Sequence, residues 1–110
     1  MYSFAQRPGC VVIDEPMYGV YLKKVDPDHP GKKETLVQWP TTIEGVRDQV
    51  AALSSHDEIY LKNMAHHMDG EPWYWVEPSA YVFWIRHPRK VVHSFTQVID
   101  TMSPFDIGLN

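Results

Sequence analysis

The residues best equipped for chemistry fall in three short stretches: Asp14-Glu15, Lys62-Asn63 followed by His66-His67, and Arg86-His87-Pro88-Arg89 with Ser94. Arginine presents a planar fork of donors that matches the oxygens of a phosphate, and a serine hydroxyl adds one more donor. Pro88 has a φ already suited to the first turn of a helix and lacks an N–H that would find no partner there. Arg86 and Arg89 therefore flank the turn into a predicted helix, whose N-terminal N–H groups favour anions, and Ser94 sits a little over one turn inside that helix. They read as an anion site, for a phosphate. The competing reading is a surface arginine pair bonding nearby carbonyls, with Ser94 facing solvent; the strand–proline–helix context favours the first. His66, His67, Asp69 and Glu71 are metal-ligand types, but their spacing matches no standard zinc pattern. For each histidine of a His-His pair in a loop, simple exposure is the commoner fate.

The elements that position these groups are legible from periodicity. Tyr81–Ile85 is an unbroken apolar run of β-branched and aromatic residues, the pattern of a strand buried on both faces of a parallel sheet. After Pro88, Val91, Phe95, Val98 and Met102 recur at helical spacing. Cys10–Asp14 and Ile59–Leu61 are two further short strands. Ile43, Val46, Val50 and Leu53 predict an amphipathic helix over Thr42–Ser54, with Thr41 and Glu44 spaced as a capping box. Met17–Leu22 reads as a helical turn with Tyr18, Tyr21 and Leu22 on one side, and Met1–Gln6 as the last turn of a helix. Asp26–Lys33 reads as a solvated loop, and Met64–Pro78 as a long connection. Strands near 10–14, 58–62 and 81–86 alternating with helices predict βαβ units and a parallel sheet. Right-handed crossovers then bring the carboxyl ends to one edge, so that Asp14/Glu15, Lys62/Asn63 and Arg86/Arg89 converge.

Composition narrows the partners. The chain has 110 residues, 44% of them hydrophobic and 22% charged, as expected for one globular domain. A net charge of −4 argues against a general nucleic-acid binder, which needs a basic face to displace counterions. Cys10 has no second cysteine to pair with and reads as a buried thiol in a reducing compartment. No apolar run approaches the ~20 residues needed to span a bilayer, and no signal-peptide pattern precedes the first strand, so no membrane partner is expected. The default location is cytoplasmic.

Arg86-x-Pro-Arg-x-x-x-x-Ser94, directly after an apolar strand, resembles the 3′-phosphate-binding segment of sulfotransferases that use 3′-phosphoadenosine 5′-phosphosulfate (PAPS). Ser3–Leu22, with Val11-Val12-Ile13-Asp14-Glu15-Pro16, and Tyr60–Met68, with Leu61-Lys62-Asn63-Met64-Ala65-His66-His67, are similar to the same family in order and rough spacing. The resemblance implies an α/β fold, a three-layer P-loop-like parallel sheet flanked by helices. Residues 1–110 would form a single, partial domain of it. It implies that Arg86, Arg89 and Ser94 hold the 3′-phosphate of PAPS or of adenosine 3′,5′-bisphosphate. It implies transfer of a sulfuryl group to a hydroxyl or amine of a small-molecule or glycan acceptor.

Glu15 resembles the carboxylate base of some branches; it reads equally as a Glu-Pro pair bonding local backbone N–H groups. In the cytosolic branch a lysine ends the later strand and a histidine two residues on is the base. Here Lys62 matches the lysine but Met64 takes the histidine's place, leaving His66 and His67 to approach the acceptor side. Trp73, Tyr74 and Trp75 suit an aromatic wall for acceptor or adenine, although packing of the long connection is the commoner explanation. The family's first strand and its glycine-, serine- and threonine-rich loop, which cradles the 5′-phosphosulfate, find no counterpart. The chain is thus expected to be a truncated piece, inactive alone and prone to self-association through an uncovered sheet edge. The alternative is a non-catalytic nucleotide- or phosphate-binding or interaction module of the same fold.

Overall fold

A computed structural model describes residues 1–25, 32–72, 75–78, 80–97 and 103–104. The chain divides into two compact units, Met1–Val76 and Glu77–Asn110. In the first, a short helix α1 (Tyr2–Ala5) leads into strand β1 (Cys10–Asp14), followed by helices α2 (Tyr18–Lys24), α3 (Lys32–Gln38) and α4 (Ile43–Ala51) and strand β2 (Glu58–Lys62). A 3₁₀ turn over Ala65–Met68 closes the sequence of elements in this unit. β1 and β2 pair in parallel, register Cys10↔Glu58 through Asp14↔Lys62, so both strands expected there are present and run as expected.

The core forms where the helices cover this strand pair. Ile13, Met17, Val20, Val46, Val50, Met68 and Trp75 are buried together, with Ile43, Leu53, Ile59, Leu61 and Val76 packed against them. Val46 and Val50 lie one helical turn apart on α4, the stripe that its spacing predicts. The cap differs by one residue from expectation. Thr42, not Thr41, is the N-cap, its hydroxyl accepting from the Gly45 N–H at 3.1 Å. That register puts Gly45 at the third helical position and Glu44 at the second, so the expected capping box does not form. Gly19 on α2 is required by close approach: a Cβ there would sit 2.2 Å from the carbonyl oxygen of Pro40. α3 is a helix that the sequence pattern does not predict, and its first residues, Lys32 and Lys33, are helical where the end of the loop over Asp26–Lys33 is expected. Its sequence, KKETLVQ, consists largely of good helix formers but has no apolar stripe, and Val37 is exposed. Residues 26–31 of the expected loop lie outside the described residues.

In the second unit, the helix after Pro88 is present as α5 (Pro88–Phe95), with Pro88 in its first turn. Its expected continuation through Val98 to Met102 lies outside the described residues. The strand expected over Tyr81–Ile85 is not there. That segment is irregular, its side chains are exposed, and Trp84 and Ile85 reach 90% and 94% exposure. A strand apolar on both faces needs a hydrogen-bonded neighbour and covering layers to hold it. Among the described residues the sheet has two strands, and neither pairs with this run. Among the described residues the architecture is α/β, a two-stranded parallel sheet with helices.

Candidate active site at the carboxyl edge of the sheet

The parallel register places Asp14 opposite Lys62 at the last pair of the ladder. The chain then turns sharply. Glu15 precedes Pro16, which disfavours the right-handed helical region for it, and it adopts φ 52°, a left-handed conformation that costs a non-glycine residue roughly 1–2 kcal/mol. Two contacts with one residue hold it there. The Glu15 N–H donates to the Lys62 carbonyl at 2.7 Å, and the Lys62 ammonium donates to Glu15 Oε1. The same ammonium pairs with Asp14 Oδ1 at 3.1 Å. Burial alone would lower the Lys62 pKa, but hydrogen bonds and charge from Glu15 and Asp14 outweigh it and raise the value above its ordinary 10.5. Two carboxylates against one ammonium leave the cluster net negative.

Beyond β2, the 3₁₀ turn brings His66 and His67 against α2. His67 stacks on Tyr21 with centroids 4.6 Å apart and lies 5.2 Å from the Tyr18 ring, while His66 meets Tyr21 edge-on at 5.2 Å. The two imidazoles are 4.4 Å apart. The expectation that each histidine is exposed fails at His67, which is 4% exposed with its Nδ1 unpartnered. The reason is the tyrosine pair at i and i+3 on α2, which covers the turn. Burial, then repulsion from His66, with Lys62 adding to it and Glu15 opposing, pushes the His67 pKa down to about 4. The ring is therefore neutral at pH 7.

The structure thus joins Glu15 and Lys62 directly and places His67 in their electrostatic field. Asp14 joins them, as the predicted convergence of strand ends requires, and the ring pair Tyr18 and Tyr21 completes the cluster. The tyrosines share one helical side in the sequence pattern, but nothing in that pattern ties them to the histidines. Trp75 is a core residue, consistent with packing of the long connection; Trp73 and Tyr74 lie outside the described residues. Among the described residues no group of three or more His, Cys, Asp or Glu side chains is placed to hold a metal ion.

Arg86, Arg89 and Ser94 belong to the second unit. Arg86 immediately precedes the N-cap His87, whose Nδ1 accepts from the Arg89 N–H at 3.2 Å, and Ser94 lies in the last turn of α5. All three side chains are exposed, and among the described residues none has an ion pair or side-chain hydrogen bond. Among the described residues, the two guanidiniums thus meet no carboxylate, and Ser94 faces solvent as the competing reading has it.

Residues 1–110 match the sulfotransferase domain family from end to end, and the chain belongs to that family. Two curated relatives from Arabidopsis thaliana, branched-chain-amino-acid aminotransferase-like proteins 1 and 2, are 32% and 30% identical to it over 100 residues. Those matches cover 89% of this chain and 18% of each relative, so the chain spans less than a fifth of their length. No solved structure matches.

Proposed function

We propose that this chain is the nucleotide- and acceptor-contacting part of a PAPS-dependent sulfotransferase, built on the three-layer P-loop-like sheet of that fold. In this reading Arg86, Arg89 and Ser94 hold the 3′-phosphate, and Glu15, with Lys62, His66 and His67 around it, forms the acceptor side. PAPS supplies an activated sulfuryl group. The chain's own groups neutralise the phosphate and take the proton from the acceptor's hydroxyl or amine, which a small molecule or a glycan can present. The single observation that carries the reading is the pair of guanidiniums flanking the start of α5, exposed and without an ion pair among the described residues. The relatives' aminotransferase-like names describe whole proteins of which this chain matches 18%, and that activity is not carried over. A cytoplasmic location belongs to the same proposal; among the described residues, no helix is long and apolar enough to cross a membrane.

Calorimetric titration with adenosine 3′,5′-bisphosphate tests this. Arg86→Ala and Ser94→Ala are each expected to weaken binding, the arginine change by about tenfold or more, since a charge-assisted hydrogen bond contributes ~1.5–3 kcal/mol. Binding by both variants as tight as the parent's removes the site. A second reading, a phosphate-binding module without catalysis, is favoured by one feature. Neither described strand leads into a glycine-, serine- and threonine-rich loop of the kind that cradles a phosphosulfate with N–H groups and positive charge: β1 runs into Glu15-Pro16-Met17 and β2 into Asn63-Met64. The purified 110-residue chain is accordingly expected to show no sulfuryl transfer in a radiolabelled-PAPS assay, and turnover would sink that second reading.

A further inference from the structure

Lys62 is the residue of the rim whose role the family's chemistry leaves most open, because an ammonium at a sheet's carboxyl edge suits a phosphate or an acceptor oxygen equally well. Its surroundings decide between them. The ammonium is already engaged by Glu15 Oε1 and by Asp14 Oδ1, and the Lys62 carbonyl accepts the Glu15 N–H at 2.7 Å. Lys62 therefore holds Glu15 by backbone and side chain together. An anion approaching it meets a net negative cluster rather than a free cation. Glu15 meanwhile sits at φ 52°, a conformation that persists only where its surroundings enforce it. Lys62 occupies one carboxylate oxygen, and Oε2 has no hydrogen bond among the described residues.

We propose that Lys62 is a positioning residue for Glu15 and not an anion ligand: it fixes Oε1 and leaves Oε2 as the edge that faces the acceptor. The inference rests on the reading of Glu15 as base. In that step the acceptor's proton moves to Oε2 and the acceptor's oxygen or nitrogen bonds to sulfur. The bond from sulfur to the phosphate oxygen breaks, its electron pair leaving on adenosine 3′,5′-bisphosphate. Lys62 remains protonated throughout and gains or loses no bond to the reacting atoms.

Solution NMR of the isotope-labelled 110-residue chain separates the two roles. Glu15→Gln is expected to shift the Lys62 side-chain nitrogen resonance. Lys62→Met is expected to shift the Glu15 carboxylate carbon, and Lys62→Arg to return that carbon toward its parent position. Saturating adenosine 3′,5′-bisphosphate is expected to leave the Lys62 nitrogen unmoved, with less than a twofold change in Kd for Lys62→Met. A Lys62 resonance indifferent to Glu15→Gln overturns the proposal. So does a resonance that moves with nucleotide while Lys62→Met weakens binding tenfold. Should the nucleotide not bind the parent at all, the phosphate clamp fails, and the Lys62–Glu15 coupling is still decided in nucleotide-free spectra. Glu15→Gln, close in shape to the parent, carries the test if Lys62→Met fails to fold.

Discussion

His67 shows what burial does to a residue whose chemistry lies near neutral pH. Its pKa, about 4 in the folded chain, lies below the ordinary 6.5, so between these values the unfolded chain binds more protons than the native one. The stability from keeping the ring neutral is fully present above pH 6.5 and is lost as pH falls through 4. The full amount is about 3 kcal/mol for a value moved from 6.5 to about 4. The groups around the ring are His66 on its own turn, Tyr18 and Tyr21 on α2, Glu15 after β1 and Lys62 ending β2. Urea denaturation at pH 7 and pH 4.5 should therefore show a steeper loss for the parent than for His67→Phe, which keeps a ring against Tyr21 but cannot titrate. Equal losses in the two proteins would mean that His67 is not buried neutral. None of this is readable from His66-His67 as a dipeptide. The pair looks like a polar loop until Tyr18 and Tyr21 are brought over it from a helix some 45 residues earlier.

At the scale of elements, the strongest signals were periodic and the weakest were local. β1, β2 and α4 announce themselves through apolar residues they bury, and α5 through its helical spacing after Pro88, although none of its residues is fully buried. Caps are decided by a single rotation about the chain, which periodicity does not report. Thr41 and Thr42 are adjacent hydroxyls before the same helix, and only the second reaches the Gly45 N–H. Thr42→Ala is expected to lower stability by about 1 kcal/mol and Thr41→Ala by less than about half that, measured by thermal or urea unfolding. The reverse order would place the cap where the Thr-x-x-Glu spacing first suggested. α3 has the opposite character: its intrinsic propensity is good but it carries no amphipathic stripe for periodicity to report.

For the molecule as a whole, the segment Tyr81–Ile85 sets the main departure from expectation. Its residue types ask for burial on both faces, yet Val82, Phe83, Trp84 and Ile85 are each more than two-thirds exposed. Contiguous exposed apolar residues of this size invite association. The isolated chain is expected to self-associate in a concentration-dependent way by light scattering, and Trp84→Lys with Val82→Lys to return it toward the monomer. A monomeric parent at high concentration would exclude association through this run.

The strands β1 and β2, the meeting of their carboxyl ends and the two helices bearing the apolar stripes follow from the sequence alone. Hydrophobic period and local turn chemistry act within a few residues of each position. Tertiary structure alone decided that Glu15 turns into a left-handed conformation against Lys62, that His67 is buried beneath two tyrosines, and that Tyr81–Ile85 forms no strand. Each of these depends on groups far apart along the chain meeting, or failing to meet, a partner. No local pattern specifies that, since a side chain's charge state and a strand's existence belong to the neighbours that surround them.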